Sequence, residues 1–491
     1  MSENIQKSPL PCGGGLGVGE TQSIKQGYKQ TSLGILPQEW EVVRLGDICE
    51  FVKTYQNARS DLNENDEISY IHYGEIHTKY KHFIDFAKAK LPKINAKKLV
   101  KEFQEIVFCQ SGDLVVVDAS EDYTAVAKSV EIQNLNSKAV AGLHTFLLRD
   151  KANYFANGFK GYILYNSEVY NELKRLATGI SVLSISKTNL SNLQIPLPPL
   201  AEQEKIAQIL GVWDKGISVL KSLIEAKTKR KKALMQRLLT PPTHPLTPSA
   251  REGEQKSHHD TKAPPLAGGV GVGYSHIENN RNDDKVLDCH DLTASNLAMT
   301  EKNSKAKQSL RFAEFTDKWQ EMRLGDICEI YQQQTIPQSD FTMEGYNVYG
   351  ANGIIGKYHS YNHEKEQIAI ACRGNSCGAV NFTNPKSWIT GNAMVINLDN
   401  SKNADKIFVY YVLLNSNLNY LVTGSGQPQI KSNVKNHSIK LPTLAEQKKI
   451  AQVLSACDKE IELLKSKFQC LKTQKKGLMQ RLLNGEVRVK C

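Results

Sequence analysis

Two stretches of this chain are written twice, and the text between them is not. Trp40-Glu41-Val42-Val43-Arg44-Leu45-Gly46-Asp47-Ile48-Cys49-Glu50 returns as Trp319-Gln320-Glu321-Met322-Arg323-Leu324-Gly325-Asp326-Ile327-Cys328-Glu329. Farther on, Ala201 to Leu239 aligns without a gap to Ala445 to Leu483, with 22 identities in 39 positions. The first pair is offset by 279 residues and the second by 244, so the first middle is 35 residues longer. Beyond Glu50 and Glu329 the middles do not align until the approach to the long repeat. A frame that repeats while its inserts change predicts one scaffold presenting two different surfaces.

The long repeats carry the spacing of paired helices. In the second copy Ile450, Leu454, Cys457, Ile461, Leu464, Phe468, Leu471, Lys475, Leu478 and Leu482 step by four and three alternately. The first copy gives Ile206, Leu210, Trp213, Ile217, Leu220, Ile224, Lys227, Lys231, Leu234 and Leu238. A heptad seam of this length argues for helix pairing rather than a lone surface helix. The two seams match step for step, which favours an internal pair over two arms seeking other chains. Each helix would span roughly 58 Å at about 1.5 Å per residue. Thr443 stands before Leu444-Ala445-Glu446 in capping-box spacing, and Pro199 suits the first turn of the other copy.

Charge sits where the helices are. Each 39-residue repeat carries nine Lys/Arg and four Asp/Glu, so the two supply +10 of the formal net charge of +11. Such basic faces could follow a phosphate backbone or dock acidic partner proteins, and a solvated coiled-coil face would look the same. No apolar run approaches the roughly 18–20 residues a membrane span needs. Met1 to Glu20 has no apolar core of signal-peptide type. The ten cysteines lack paired spacing, as expected of reduced thiols. Together these features predict a cytoplasmic chain that makes no membrane contact.

Residues 1–30 and 241–310 are polar and without periodicity, and both read as disordered. They share an echo, Gly14-Gly15-Leu16-Gly17-Val18-Gly19 against Gly268-Gly269-Val270-Gly271-Val272-Gly273. Neither copy ends in the Gly-Lys-Ser/Thr of a phosphate loop, so the reading is flexible linker. The expected plan is then a recognition domain over 31–199 and a long helix over 200–240. The insertion at 241–310 separates these from a second recognition domain over 311–443 and a second helix with the C-terminal tail over 444–491.

The middles hold short β-rich runs bounded by Gly, Asn and Asp, suggesting compact mixed α/β modules. Tyr, His, Asn, Lys and Arg on such loops suit base edges and phosphates. In the first middle the candidates are Tyr70, His72, Tyr73, His77, Lys79, Ser111 and Ser120. In the second they are Tyr346, Tyr349, Asn352, Lys357, Tyr358, Arg373 and Asn375. Just before each long repeat, Thr178-Gly179-Ile180-Ser181 with Lys187, and Gly424-Ser425-Gly426-Gln427 with Lys431, offer amides and a cation for a phosphate. For any single one of these residues, ordinary strand and turn chemistry is the competing reading.

Catalytic patterns are missing. Asp118, Glu121 and Asp122 group three carboxylates, yet no Pro-Asp precedes a Glu-x-Lys anywhere. No Asn/Asp-Pro-Pro-aromatic tetrad is available to grip a flipped base, and no dinucleotide fingerprint follows a strand. His359, His363, Cys372 and Cys377 have poor spacing for zinc, so no metal site is expected.

The residues quoted resemble the specificity subunits of type I restriction–modification systems. The resemblance rests on Pro196-Leu197-Pro198-Pro199-Leu200-Ala201-Glu202-Gln203 and Leu441-Pro442-Thr443-Leu444-Ala445-Glu446-Gln447. It rests also on the two Leu-Met-Gln-Arg-Leu-Leu runs from Leu234 and Leu478, and on Trp-x-x-x-Arg-Leu-Gly-Asp at Trp40 and Trp319. It covers roughly 31–240 and 311–491. It implies an α+β chain: two mixed α/β target-recognition domains separated by a pair of long antiparallel coiled-coil helices, with an internal pseudo-twofold repeat. Each domain would read one half of a split double-stranded DNA site, and the helices would set the gap between the halves. The implied partners are two methyltransferase subunits and motor-nuclease subunits. S-adenosylmethionine, ATP and Mg would lie on those partners, and this chain would be non-catalytic. Alternatives are a methylation-only or fused system, a protein-binding adaptor, or a decayed product. One departure stands out: Thr240 and Arg311-Phe312-Ala313-Glu314-Phe315 look like two sides of a normally short link, with about 70 residues between them.

Overall fold

The computed structural model describes residues 24–100, 105–121, 127–241, 309–424 and 428–490. Both glycine-rich echoes, and the insertion from 242 to 308, lie outside the described residues. The chain forms two compact units, one within Met1–Leu220 and Lys467–Cys491, the other within Lys221–Ser466. No helix among the described residues is long and apolar enough to cross a membrane.

In the first unit the repeated motifs meet as a ribbon. Strand Glu41–Arg44 runs antiparallel to Gln194–Leu197, with Arg44 opposite Gln194 and Glu41 opposite Leu197. The first long helix, Leu200–Leu238, starts directly after Pro198-Pro199, where a missing N–H costs nothing. Gln203 is buried in its first turn. Its amide donates to the Pro198 carbonyl (2.8 Å), and its oxygen accepts from the Ala156 N–H (3.0 Å). The second unit repeats this arrangement. Gln320–Arg323 pairs with Ser438–Leu441, and the second long helix spans Leu444–Leu483. Gln447 donates to the Pro442 carbonyl (2.9 Å) and accepts from the Asp405 N–H (2.8 Å). The expected cap at Thr443 does not form. Its buried hydroxyl has no partner, and the Glu446 carboxylate, the other half of the box, is bound by Arg311 instead.

The two middles, unalignable as text, build the same sheet. In the first unit the strand order is Cys49–Val52, Thr145–Asp150, Leu114–Val117, Ser129–Gln133, with Phe83–Asp85 added at the edge. In the second it is Glu329–Gln332, Ala393–Asn397, Ile368–Ala371, Val380–Phe382. The four shared strands are antiparallel throughout. Leu114–Val117 and Ile368–Ala371 are buried at every position, as a central strand covered on both faces requires. Each unit also carries a three-stranded sheet with one parallel and one antiparallel pairing, centred on Ile68–Ile71 and on Tyr346–Gly350.

The seam positions are all buried or half-buried. Ile206, Leu210, Leu220 and Leu238 are buried on the first helix, and Ile450, Leu454, Ile461 and Leu482 on the second. Trp213, Ile217, Ile224, Leu234, Leu464, Phe468, Leu471 and Leu478 are half-buried. In the second unit Lys227 pairs with Glu460 and Lys231 with Asp458, so numbers rise on one helix as they fall on the other. That is the antiparallel sense.

The long helices end in equivalent turns. After the second, the Val487 N–H donates to the Arg481 carbonyl (3.1 Å). After the first, the Leu310 N–H donates to the Arg237 carbonyl (3.0 Å). Arg237 and Arg481 hold the same place in the repeat. The chain therefore leaves at Leu239 and returns at Leu310 in the register that Leu483 and Val487 achieve with three residues between them. Two boundaries shift accordingly: Leu310 belongs to the folded unit, and so does Tyr28–Thr31 near the N-terminus. The latter pairs with Gly34–Pro37, because this hairpin buries Leu36 and lets the Tyr28 hydroxyl donate to the Gly485 carbonyl (3.0 Å).

Candidate nucleic-acid interface

Four of the aromatic and polar candidates are interior residues. Tyr70 lies in a fully buried strand, and its hydroxyl donates to the Tyr55 carbonyl (2.6 Å) while accepting from the Asn57 and Leu143 N–H groups. Gly142 makes room for its ring, since a Cβ there would lie 2.1 Å from it. Tyr349 is held likewise by Asn384. His72 is buried and caps the short helix Tyr73–Lys79, its Nδ1 accepting from the Gly74 N–H (3.1 Å). An accepting Nδ1 carries no proton, in keeping with burial holding this imidazole below its usual pKa. Ser120 is buried in the strand pair Ala119–Ser120 with Leu183–Ser184. Local sequence could not separate these residues from surface readers, because an aromatic or hydroxyl residue flanked by apolar positions suits a core strand equally well.

The remaining candidates are at or near the surface. Tyr73 and His77 are half-buried, while Lys79, Ser111 and Lys187 are exposed. In the second lobe Tyr346, Asn352, Lys357, Arg373, Asn375 and Lys431 are exposed and Tyr358 is half-buried. The structure joins two stretches of the first middle. His77 Nε2 lies 3.3 Å from the Ala119 carbonyl, and the Tyr73 ring meets His144 edge-on at 5.3 Å. His144 in turn contacts Asp118 (3.2 Å), whose partial burial raises its pKa. Beneath them Glu75 is buried, with Arg59 at 3.2 Å and Lys79 at 3.9 Å. His144 and Arg59 are additions that only the fold reveals. Asp122 and Gln427 lie outside the described residues.

In the second lobe the strand Ile368–Ala371 runs straight into Arg373, which bridges to Gln429 just ahead of Lys431. The Ile430 N–H donates to the Cys372 carbonyl and the Gly374 N–H to the Pro428 carbonyl, both at 3.1 Å. This clasp opens a surface cavity of about 340 Å³ whose lining, among the described residues, holds Arg373, Lys431 and Lys435 and no carboxylate. Gln332 enters from the edge strand Glu329–Gln332, one strand removed, and donates to the Cys372 thiol (2.8 Å). Three cations with no carboxylate beside them among the described lining residues form a site for an anion such as a phosphate. The sequence pointed to Arg373 and Lys431 separately; Lys435 was missed although it stands one helical turn beyond Lys431. The first lobe brings the same two segments together, through Ala119–Ser120 and Leu183–Ser184, and there Lys187 lies over the Phe51 ring (5.2 Å). Lys187 and Lys431 are equivalent in the long repeat's register, 244 residues apart.

Comparison with known proteins agrees with this two-lobed plan. The family model described as "Type I restriction modification DNA specificity domain" matches residues 37–227 and 316–473. The putative type I restriction enzyme MjaX specificity subunit of Methanocaldococcus jannaschii is 25% identical over 485 residues, covering 95% of this chain and 98% of that protein. The MjaVIII specificity subunit of the same organism is 23% identical over 499 residues, with the same coverage of 95% and 98%. The crystal structure of the type I restriction-modification system S subunit from M. genitalium shares the fold at a TM-score of 0.50 and 14% identity, over 90% of this chain and 96% of that one.

Proposed function

Because the chain belongs to the type I restriction modification DNA specificity family, we propose that each lobe reads one half of a split double-stranded DNA target. The observation that carries this reading is the shared sheet. One strand order supports two sets of loops with no alignable sequence, which is the form expected of two readers with different targets on one scaffold. Phosphate contacts fix register and base contacts specify. The Arg373–Lys431–Lys435 cavity suits the first task, and the exposed Tyr346, Asn352 and Lys357 suit the second. In the first lobe Tyr73, His77, Lys79 and His144 form the corresponding surface.

On this reading the chain is non-catalytic. It delivers two methyltransferase subunits to the target, and motor-nuclease subunits join them. S-adenosylmethionine, ATP and Mg belong to those partners. The test is to map methylated adenines in cells expressing this chain with its neighbouring methyltransferase subunit. A motif of two short defined halves with a fixed undefined gap is expected. Replacing residues 330–439 with the corresponding segment of another family member is expected to change one half alone. Methylation that does not depend on this chain would overturn the reading.

A further inference from the structure

Three lysines interrupt the apolar seam, and each has a carboxylate facing it: Lys227 with Glu460, Lys231 with Asp458 and Lys475 with Asp214. Two of these pairs recruit a tyrosine from the adjoining lobe. In the first unit the Tyr162 hydroxyl donates to Asp214 Oδ2 (2.7 Å), the oxygen that Lys475 Nζ also contacts. The Lys475 ammonium lies 5.0 Å from the centre of the Tyr162 ring. In the second unit the Tyr411 hydroxyl donates to Asp458 Oδ2 (2.7 Å), Lys231 holds Oδ1 (2.5 Å), and Lys231 lies 5.2 Å from the Tyr411 ring. Lys231 and Lys475 are equivalent in the repeat, as are Asp214 and Asp458. The tyrosines open a short matching stretch, Tyr162-Ile163-Leu164-Tyr165-Asn166-Ser167 and Tyr411-Val412-Leu413-Leu414-Asn415-Ser416, at an offset of 249 residues rather than 244. Both lobes thus supply the same group to the same place on the repeat.

We propose that Tyr162–Asp214–Lys475 and Tyr411–Asp458–Lys231 are positioning triads that seat each recognition lobe on the long helices and thereby hold the gap between the two half-sites. The proposal rests on the split-target reading above. Its physical basis is the difference between apolar and charged contact. Leucine-type seams tolerate small slides, because dispersion contacts are many, weak and non-directional. A partly buried carboxylate shared by an ammonium and a phenol has few satisfied arrangements, and moving the ammonium or the carboxylate leaves a charge unpaired. Buried ion pairs add little net stability compared with apolar replacements. Recurrence in both lobes therefore points to placement rather than to strength. The first triad is the more enclosed: the Lys475 side chain is 2% exposed against 15% for Lys231, and His82 packs on Tyr162 at 4.7 Å. Burial draws the Lys475 pKa down to about 8, and the Asp214 carboxylate, held by that lysine, is displaced below its usual value, so the pair stays charged at neutral pH.

The test uses the full chain assembled with its methyltransferase subunit. Methylation is measured on duplexes carrying the natural gap and gaps one base pair shorter and longer. Lys475→Met and Lys231→Met, alone and together, are expected to raise relative methylation at the altered gaps by about tenfold. Base preference within each half is expected to stay unchanged. Tyr162→Phe with Tyr411→Phe removes only two hydroxyls, should loosen the gap by a smaller factor, and carries the test if a lysine variant is insoluble. Variants that melt like the wild type yet keep its gap preference would overturn the proposal, as would an equal loss of methylation on every duplex. A wild-type complex that methylates no split motif would instead overturn the split-target reading, and the triads' role in the gap with it.

Discussion

Arg311 grips Glu446 with two parallel hydrogen bonds, Nε to Oε1 at 2.9 Å and an Nη to Oε2 at 2.8 Å, and the carboxylate so held is 1% exposed. Arg488 holds Glu202 in the same way at 2.7 and 3.0 Å, with the Trp40 indole N–H as a further donor at 2.8 Å. Glu446 lacks that third donor, for the Trp319 N–H is buried without a partner. Arg311→Met therefore strands a buried charge and is expected to cost about 3–5 kcal/mol in the second unit. Arg488→Met leaves Trp40 in place and removes a side chain that is one-third exposed, so its effect is expected to be about 1–2 kcal/mol. Urea unfolding of the two variants checks the order. Equal losses would show that the indole contributes nothing to holding Glu202.

His82 makes the first unit sensitive to acid. Burial, reinforced by the nearby Lys475 charge, lowers its pKa to about 3 from the usual 6.5. Its Nδ1 donates to the Gly161 carbonyl (3.1 Å), while Nε2 has no partner. The unfolded chain binds a proton here near pH 6.5 and the folded one does not until about pH 3. Its contribution is therefore complete above pH 6.5 and drains away as pH falls below that value, by up to about 1.4 kcal/mol per pH unit. His82→Gln should flatten the dependence of the urea midpoint between pH 6.5 and 4.5. An unchanged slope would assign the acid sensitivity to other groups.

The cavity at Arg373, Lys431 and Lys435 predicts a salt effect. If each cation meets a phosphate, replacing it with glutamine lowers the slope of log K against log salt by about 0.9. The assembled complex carrying these substitutions is expected to keep its target motif while binding all DNA more weakly. Altered base preference with an unchanged slope would make these residues base readers.

Replacing Thr240–Ser309 by Asn-Gly-Glu, the three residues that stand between Leu483 and Val487, should preserve the Leu310–Arg237 hydrogen bond and the Arg311 clasp. Shortening the loop that far reduces closure entropy, so a gain of roughly 3 kcal/mol in the second unit is expected. The methylation motif of the excised chain should match the parent's. A changed gap would give the insertion a part in recognition.

The frame was legible in the sequence because repetition and heptad spacing survive as text. The seam from Ile206 to Leu238 and from Ile450 to Leu482 could be read residue by residue, since a helix position follows from counting. The common sheet could not be read that way. Strand order depends on which buried runs pair, and Leu114–Val117 and Ile368–Ala371 are alike only in being apolar and short. Tyr70 and Tyr349 were placed at the interface because their flanks are those of a loop-bounded strand, and only packing shows which way such a ring points. The same holds for the expected box at Thr443: its hydroxyl is unpartnered, and the Glu446 carboxylate is taken by a distant arginine, Arg311.

That four strands keep their order under two unrelated sequences separates what can be inherited from what can be lost. Folding draws on the covered faces of the sheet, and on the proposed reading recognition draws on the segments beyond its strand ends. Heritable change at Asn352, Lys357 or Asn375 alters no packed surface, so selection for a sound fold leaves these sites free to vary. A lineage built on such a chain can acquire a new target in one lobe while the other keeps its own, without passing through an unfolded ancestor.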